Sequence, residues 1–245
     1  MTTLIFGATA GVGRALCRAL AAAGHDLTLI SRDSRDLMAE SAHCSLTYGV
    51  RAEWIEADAS NPIAVETALA RYLQSGERRF QNLLFPVGGT GEDDAALGSA
   101  ASVAGILHVN LTAIMVTVGA LLPHMAASGE RNIIGFGSIA AIRGRRSNVA
   151  YSAAKRGLES YFESLRHSLA HSGIRVKFYR LGYVATQQSF GKKLLLPASK
   201  PDAIARRIMA DWNRDVGFVS LPRYWSAVGF ALRSLPWIIY RRLSY

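Results

Sequence analysis

Apolar positions in this chain fall into short continuous runs separated by longer stretches of helical period. Thr2–Phe6 is a compact apolar run that stops at Gly7, the pattern of a buried strand. After the turn Gly7-Ala8-Thr9-Ala10-Gly11-Val12-Gly13, residues Arg14–Gly24 carry helical spacing and close on a glycine. Asp26–Ser31 is a second strand, so the chain opens with a strand–helix–strand unit. Further strands are predicted at Ala52–Ala57, Asn82–Phe85, Asn132–Ser138 and Ile174–Tyr179, with a short one at Gly217–Leu221. Helices are predicted over Arg35–Tyr48, Ser102–Ala127, Asn148–His171 and Lys200–Asn213. Strands that alternate with helices in this way argue an α/β fold with a doubly wound parallel sheet of six to seven strands. At 245 residues the chain suits one such domain, over residues 1–221, followed by an apolar and basic extension over 222–245.

The turns between these elements carry the candidate chemistry. A glycine-rich turn between a strand and a helix lets backbone N–H groups approach a phosphate, and the helix N-terminus attracts its charge. At the end of the second strand an acid would bind ribose hydroxyls, whereas an arginine would accept a 2′-phosphate. Ser31-Arg32 stands there and Arg14 lies beside the glycine turn; both point to NADP(H) over NAD. Asp33 would reverse that choice if the register were shifted by one or two residues. Asp58, just past the third strand, either hydrogen-bonds an adenine amino group or caps the next helix with Ser60-Asn61-Pro62. Pro86-Val87-Gly88-Gly89-Thr90-Gly91 is a second glycine-rich turn, where a cofactor would pass close to backbone. Asn110 falls inside a helix, where propensity disfavours it, so it either faces water or makes a specific bond. Ser138 ends the fifth strand, at the sheet edge where ligands bind in open α/β sheets. In Tyr151-Ser152-Ala153-Ala154-Lys155 the tyrosine and lysine share one helix face. An ammonium beside a phenol favours the phenolate, so Lys155 is expected to lower the Tyr151 pKa toward neutrality and ready it for proton transfer. Arg143-Gly144-Arg145-Arg146 reads either as a solvated loop or as an anion clamp near the site.

Composition adds a charge. The formal net charge is +10, from 28 Lys and Arg against 18 Asp and Glu. Such a balance suits an anionic partner: a membrane surface, an acidic carrier protein, a phosphorylated ligand or nucleic acid. It also suits an arginine-rich genome with no such partner. Nucleic acid is the weakest of these, because the arginines are scattered and no recognition motif appears. Cys17 and Cys44 have no metal spacing, and no metal site is predicted. Cys17 reads as a small core residue and the thiols suggest a reducing, cytoplasmic compartment. The N-terminus enters a strand at once, so no signal peptide is expected. No apolar run is expected to span a bilayer; Trp225–Tyr240 is interrupted by Arg233 and Pro236.

Taken together, Gly7-x-x-x-Gly11-x-Gly13, Asp58, Asn110, Ser138, Tyr151-x-x-x-Lys155 and Gly182-x-x-x-Thr186 make the chain resemble the short-chain dehydrogenase/reductases along nearly its full length. The resemblance implies a Rossmann-type sheet, an NADP(H)-dependent ketone–alcohol interconversion, and a homodimer or homotetramer. It implies that Ser138 hydrogen-bonds the substrate oxygen and that Tyr151 gives or takes its proton. Lys155 would hold the nicotinamide ribose, and Asn110 would fix a water in a relay behind Lys155. Gly182, Val184 and Thr186 would flank the nicotinamide. Three departures stand out. Phe85-Pro86-Val87-Gly88-Gly89 replaces the family's Asn-Asn-Ala-Gly and so removes polar braces of the central sheet. Leu181 stands where a proline is usual. The extension Leu221–Leu243 is aromatic, apolar and basic, with no acid. It reads either as a last packed helix or dimer surface, or as an element lying on an anionic membrane through Trp and Tyr with Arg at the headgroups. It is similar to the tails of reductases acting on polyprenyl-phosphate-linked keto-sugars and other lipids. The leading expectation is therefore a reductase of a lipophilic or phosphate-bearing ketone. The alternatives are a soluble reductase of small carbonyls or carrier-bound 3-ketoacyl groups, and a dinucleotide-binding sensor without turnover.

Overall fold

The computed structural model describes residues 1–91, 94, 98–186, 191 and 196–243. The described residues form a seven-stranded parallel sheet: β1 Thr2–Phe6, β2 Asp26–Ser31, β3 Ala52–Glu56, β4 Asn82–Phe85, β5 Arg131–Ser138, β6 Ile174–Leu181 and β7 Phe218–Leu221. Their spatial order is β3-β2-β1-β4-β5-β6-β7, so the winding reverses between β1 and β4. The helices are α1 Gly11–Ala22, α2 Ser34–Tyr48, α3 Pro62–Gln74, α4 Ala100–Leu107, α5 Ala113–Leu121, α6 Val149–Ser168, α7 Pro201–Ala210, α8 Trp225–Ser234 and α9 Trp237–Tyr240.

Strand alternation distributes the core to two faces. Leu4, Phe6, Leu83, Phe85 and Ile133 pack toward α3, α5 and α6; Ile5, Leu84, Ile134, Phe136 and Tyr179 pack toward α1, α2 and α7. On β5 a glycine takes the place of a larger residue because α6 lies so close. A Cβ at Gly135 would sit 2.6 Å from the Phe162 ring. This tight contact draws α6 onto β5 and with it Tyr151 toward Ser138. At the opposite, amino edge of the sheet, registered residues join in a polar ladder. Thr3 Oγ1 meets His25 Nδ1 at 2.9 Å, Asn82 donates to Thr3 Oγ1 at 3.1 Å, Asn132 donates to Asn82 Oδ1 at 2.9 Å, and Arg175 donates to Asn132 Oδ1 at 3.3 Å. The central strands are thus braced by side chains at their N-terminal ends.

Three predicted boundaries shift for identifiable reasons. α1 begins at Gly11 rather than Arg14, because the glycine turn is itself the first helical turn. β6 runs on to Leu181, which keeps the backbone N–H that a proline lacks and stays in register with Ser138 and Leu221. The single helix predicted over Ser102–Ala127 is α4, a π turn at His108–Thr112, α5 and a closing 3₁₀ turn. That run also corrects the expectation about bilayer-length segments. Ala100–His124 is long and apolar enough to cross a membrane, with mean hydropathy 1.9. Here its apolar side chains Ile106, Ala113, Ile114, Val118 and Leu121 are buried in the fold, beside α3 and α6.

Candidate active site

The carboxyl ends of β1, β4, β5 and β6 and the start of α6 gather the predicted residues at one edge. Ser138 closes β5; its Oγ accepts from Ala140 N at 3.1 Å, and its hydroxyl lies near enough to the Tyr151 phenol to favour the phenolate. Tyr151 and Lys155 lie on successive turns of α6, with Ser138 level with Leu181 across the sheet. Lys155 is buried and donates to Phe136 O at 3.1 Å and Val87 O at 3.4 Å. Burial alone pulls its pKa down to about 8. The Tyr151 pKa, expected to fall, instead stands above the ordinary phenol value. Desolvation outweighs both the nearby Ser138 hydroxyl and the positive charge of Arg145, and Lys155 spends its protons on backbone carbonyls.

Asn110 sits in the π turn at zero exposure. Its Nδ2 donates to Gly89 O at 2.7 Å and Ile106 O at 2.9 Å, and its Oδ1 accepts from Gly89 N at 3.2 Å. The amide therefore clamps the turn after β4, supplying the polar brace that Phe85 and Pro86 cannot. Gly88 lies where these groups converge: a Cβ there would be 2.9 Å from Lys155 Nζ and 3.0 Å from Asn110 Oδ1.

The glycine turn forms a phosphate-sized cradle. Gly7 is left-handed at φ 96°, and a Cβ on Gly13 would collide with the Gly7 carbonyl oxygen. Ala10 offers no side-chain cap, so the α1 amides of Gly11, Val12 and Gly13 are not claimed by a capping side chain. Thr9 Oγ1 bonds Ser31 Oγ at 2.8 Å, and tying these two strand ends together shapes the cradle wall. Val87 abuts Gly7, and the Thr186 methyl abuts Gly11, so the turns after β1, β4 and β6 line one groove. These residues fit a dinucleotide. At the β2 end Asp33 is spent as the N-cap of α2, accepting from Arg35 N at 2.9 Å and Asp36 N at 3.3 Å. Arg32 is exposed beside it. Arg14 leans on the buried Glu40 at 3.3 Å, which also takes a bidentate contact from Arg18 at 3.0 and 3.1 Å. Asp58 is exposed and accepts from Ser60 N at 2.9 Å; the cap of α3 is Asn61, accepting from Ala64 N at 3.1 Å. Asp58 thus forms the turn before α3 rather than its cap.

Three side chains at this edge have roles that were not predicted from sequence. Trp225 on α8 presses its indole against Gly182 so closely that any side chain there would collide with it. Arg143 is neither a free loop residue nor an anion clamp. It donates to Leu232 O and Leu235 O, both at 2.6 Å, and stacks 3.8 Å over the Tyr240 ring. Asp94 receives two amides at the start of α6. All three rely on partners far away in the chain, which no local pattern announces.

Fold and site together define a dinucleotide-binding oxidoreductase. A family profile described as short chain dehydrogenase matches residues 1–192, and the chain belongs to that family. It is 26% identical to an uncharacterized oxidoreductase of Mycobacterium tuberculosis over 240 residues, covering 98% of this chain and 96% of that one. It is 27% identical to the 3-oxoacyl-acyl-carrier-protein reductase of Bos taurus over 192 residues, 76% of each chain. Among solved structures, a short-chain dehydrogenase from Sphingobium yanoikuyae in complex with NADPH superposes with a TM-score of 0.82 at 24% identity, covering 99% of this chain and 96% of that one.

Proposed function

We propose that the chain is an NADP(H)-dependent oxidoreductase that interconverts a ketone and a secondary alcohol. The observation that carries this reading is the placement of Ser138 at the carboxyl edge of the sheet beside Tyr151, one helical turn from buried Lys155. Ser138 Oγ donates to the carbonyl oxygen and orients it. Tyr151 donates its phenolic proton to that oxygen, and the Lys155 ammonium stabilises the phenolate left behind. Asn110 keeps Gly88 and Gly89 against Lys155. NADPH, when bound, supplies the hydride. Gly7, Thr9, Ala10, Gly11, Val12 and Gly13 would hold its phosphates, Arg32 with Arg14 its 2′-phosphate, and Gly88, Gly182, Val184 and Thr186 its nicotinamide end, with Asp58 toward the adenine. The spent carboxylate of Asp33 beside exposed Arg32 supports NADP(H) over NAD.

The substrate we propose is lipophilic. The outer face of α8 and α9 shows Phe230, Trp237, Ile238 and Ile239 at 76%, 67%, 63% and 51% exposure, beside exposed Arg233, Arg241 and Arg242. Aromatic and aliphatic side chains among arginines suit an anionic lipid surface, here the cytoplasmic face of a membrane. A dimer or tetramer completes the proposal. A second reading, reduction of carrier-bound 3-oxoacyl groups, draws on the Bos taurus relative and on the +10 charge.

The test is NADPH oxidation with ethyl acetoacetate, with an acyl-carrier-bound 3-oxoacyl group and with methyl undecyl ketone in anionic vesicles. Tyr151→Phe should lose about 10²-fold or more of the turnover while binding NADPH as the unaltered protein does, read from cofactor fluorescence. Undiminished turnover in that variant removes Tyr151 from the reaction. Preference for the soluble substrates over the vesicle-bound ketone removes the lipid reading.

A further inference from the structure

Helix α6 carries Tyr151 within its first turn, yet its own sequence does not secure that turn. Asn148, at the N-cap position, makes no side-chain cap, and no acid follows in the first turn. An uncapped helix start frays, because its first amides have no intrahelical acceptor. The missing acceptor comes from a distant segment. Asp94 is 3% exposed; its Oδ1 accepts from Ala150 N at 2.6 Å and its Oδ2 from Tyr151 N at 3.0 Å. Both carboxylate oxygens are thus used on two consecutive amides, one of them the amide of Tyr151 itself. A charged acceptor at a helix N-terminus is also favoured by the helix dipole.

The location of Asp94 gives the contact a purpose beyond capping. It follows the turn after β4, in which Asn110 clamps Gly89 and Gly88 faces Lys155. Two described residues after β4 are therefore held to the catalytic cluster, Gly89 by Asn110 and Asp94 by the start of α6. We infer that Asp94 is a positioning residue for Tyr151: it fixes the first turn of α6 so that the phenol stays on Ser138. Asp94 does not reach the reacting atoms and moves no proton. This rests on the reading of Tyr151 as proton donor, and the Tyr151→Phe control above decides that reading separately.

The test compares Asp94→Ala and Asp94→Asn with the unaltered protein, using NADPH and whichever ketone of the panel turns over fastest. A displacement of about 1 Å in a reacting group costs on the order of 10²-fold in rate. We expect Asp94→Ala to lower kcat by about ten- to a hundredfold, with KM for the ketone and NADPH affinity changed less than about threefold. Asp94→Asn keeps one carbonyl acceptor and should recover part of the loss. Amide exchange at Ala150 and Tyr151 should quicken in proportion to the loss of kcat. The inference is overturned by an unchanged kcat in Asp94→Ala, by a loss confined to KM or to NADPH affinity, or by an Asn variant no better than Ala. If Asp94→Ala does not fold, the Asn variant decides alone: unchanged kcat with quickened exchange at Tyr151 defeats the inference, and lowered kcat with NADPH affinity retained upholds it.

Discussion

Lys155 and Tyr151 divide the electrostatic work between them in an order set by burial. Desolvation penalises a charged lysine and a charged phenolate alike, so it lowers the first pKa and raises the second. The signs then fix the pH dependence. A lysine with a folded pKa of about 8 keeps its ammonium below that pH and loses it as pH rises through it. Tyr151, above its ordinary value, remains a phenol throughout that window and can still donate. Ketone reduction should therefore decline as pH rises through about 8, the limb belonging to Lys155. Lys155→Arg keeps a charge that does not titrate there and should flatten the decline, whatever its effect on the absolute rate. A pH–rate profile of kcat with the same midpoint in the Arg variant would assign the limb to another group.

At the scale of elements, the C-terminal helices pack against the candidate site. Trp225 packs on Gly182, a Cβ at Gly229 would meet Ile142 at 2.5 Å, and Tyr240 OH donates to Gly144 O at 2.6 Å. The loops that follow Ser138 at the end of β5 and Leu181 at the end of β6 are thereby held by one packed face of α8–α9. Arg143 is the pin, since its guanidinium satisfies two carbonyls that end α8. Arg143→Ala should cost about 1–3 kcal/mol through the unsatisfied carbonyls and lost stacking, or a fall in Tm of roughly 2–12 °C for a chain this size. Hydrogen exchange over residues 225–240 should accelerate while β1, β4 and β5 stay protected. Equal acceleration in the sheet and in α8–α9 would show that the pin acts on the whole fold rather than on the extension.

On the scale of the whole molecule, the packed-helix reading of the extension describes one of its faces, and the membrane reading is a proposal about the other. One face carries Trp225, Gly229 and Tyr240 inward, and the other presents Phe230, Trp237, Ile238 and Ile239 to solvent. With phosphatidylglycerol vesicles we expect the protein to float. Binding should weaken but persist at high salt, because screening over a Debye length of about 3 Å at 1 M removes arginine attraction and leaves burial of the apolar groups. A Trp237→Ser, Ile239→Ser double variant should lose the persistent part and keep turnover of ethyl acetoacetate. Flotation indifferent to these changes would exclude α8–α9 as the docking face.

What the sequence determined by itself is local. Strand runs such as Thr2–Phe6 and Asn82–Phe85, the glycine turn, and the four-residue spacing of Tyr151 and Lys155 were legible because each depends on neighbours a few residues away. What only the tertiary structure decided depends on pairs brought together from far along the chain. Asn110 reaches Gly89, Asp94 reaches Tyr151, Arg143 reaches Leu232 and Leu235, and Glu40 reaches Arg14. The Tyr151 pKa belongs to the same group. Helical spacing alone sets the lysine beside the tyrosine, but burial determines which way each titrates, and burial is a property of the packed fold rather than of the spacing.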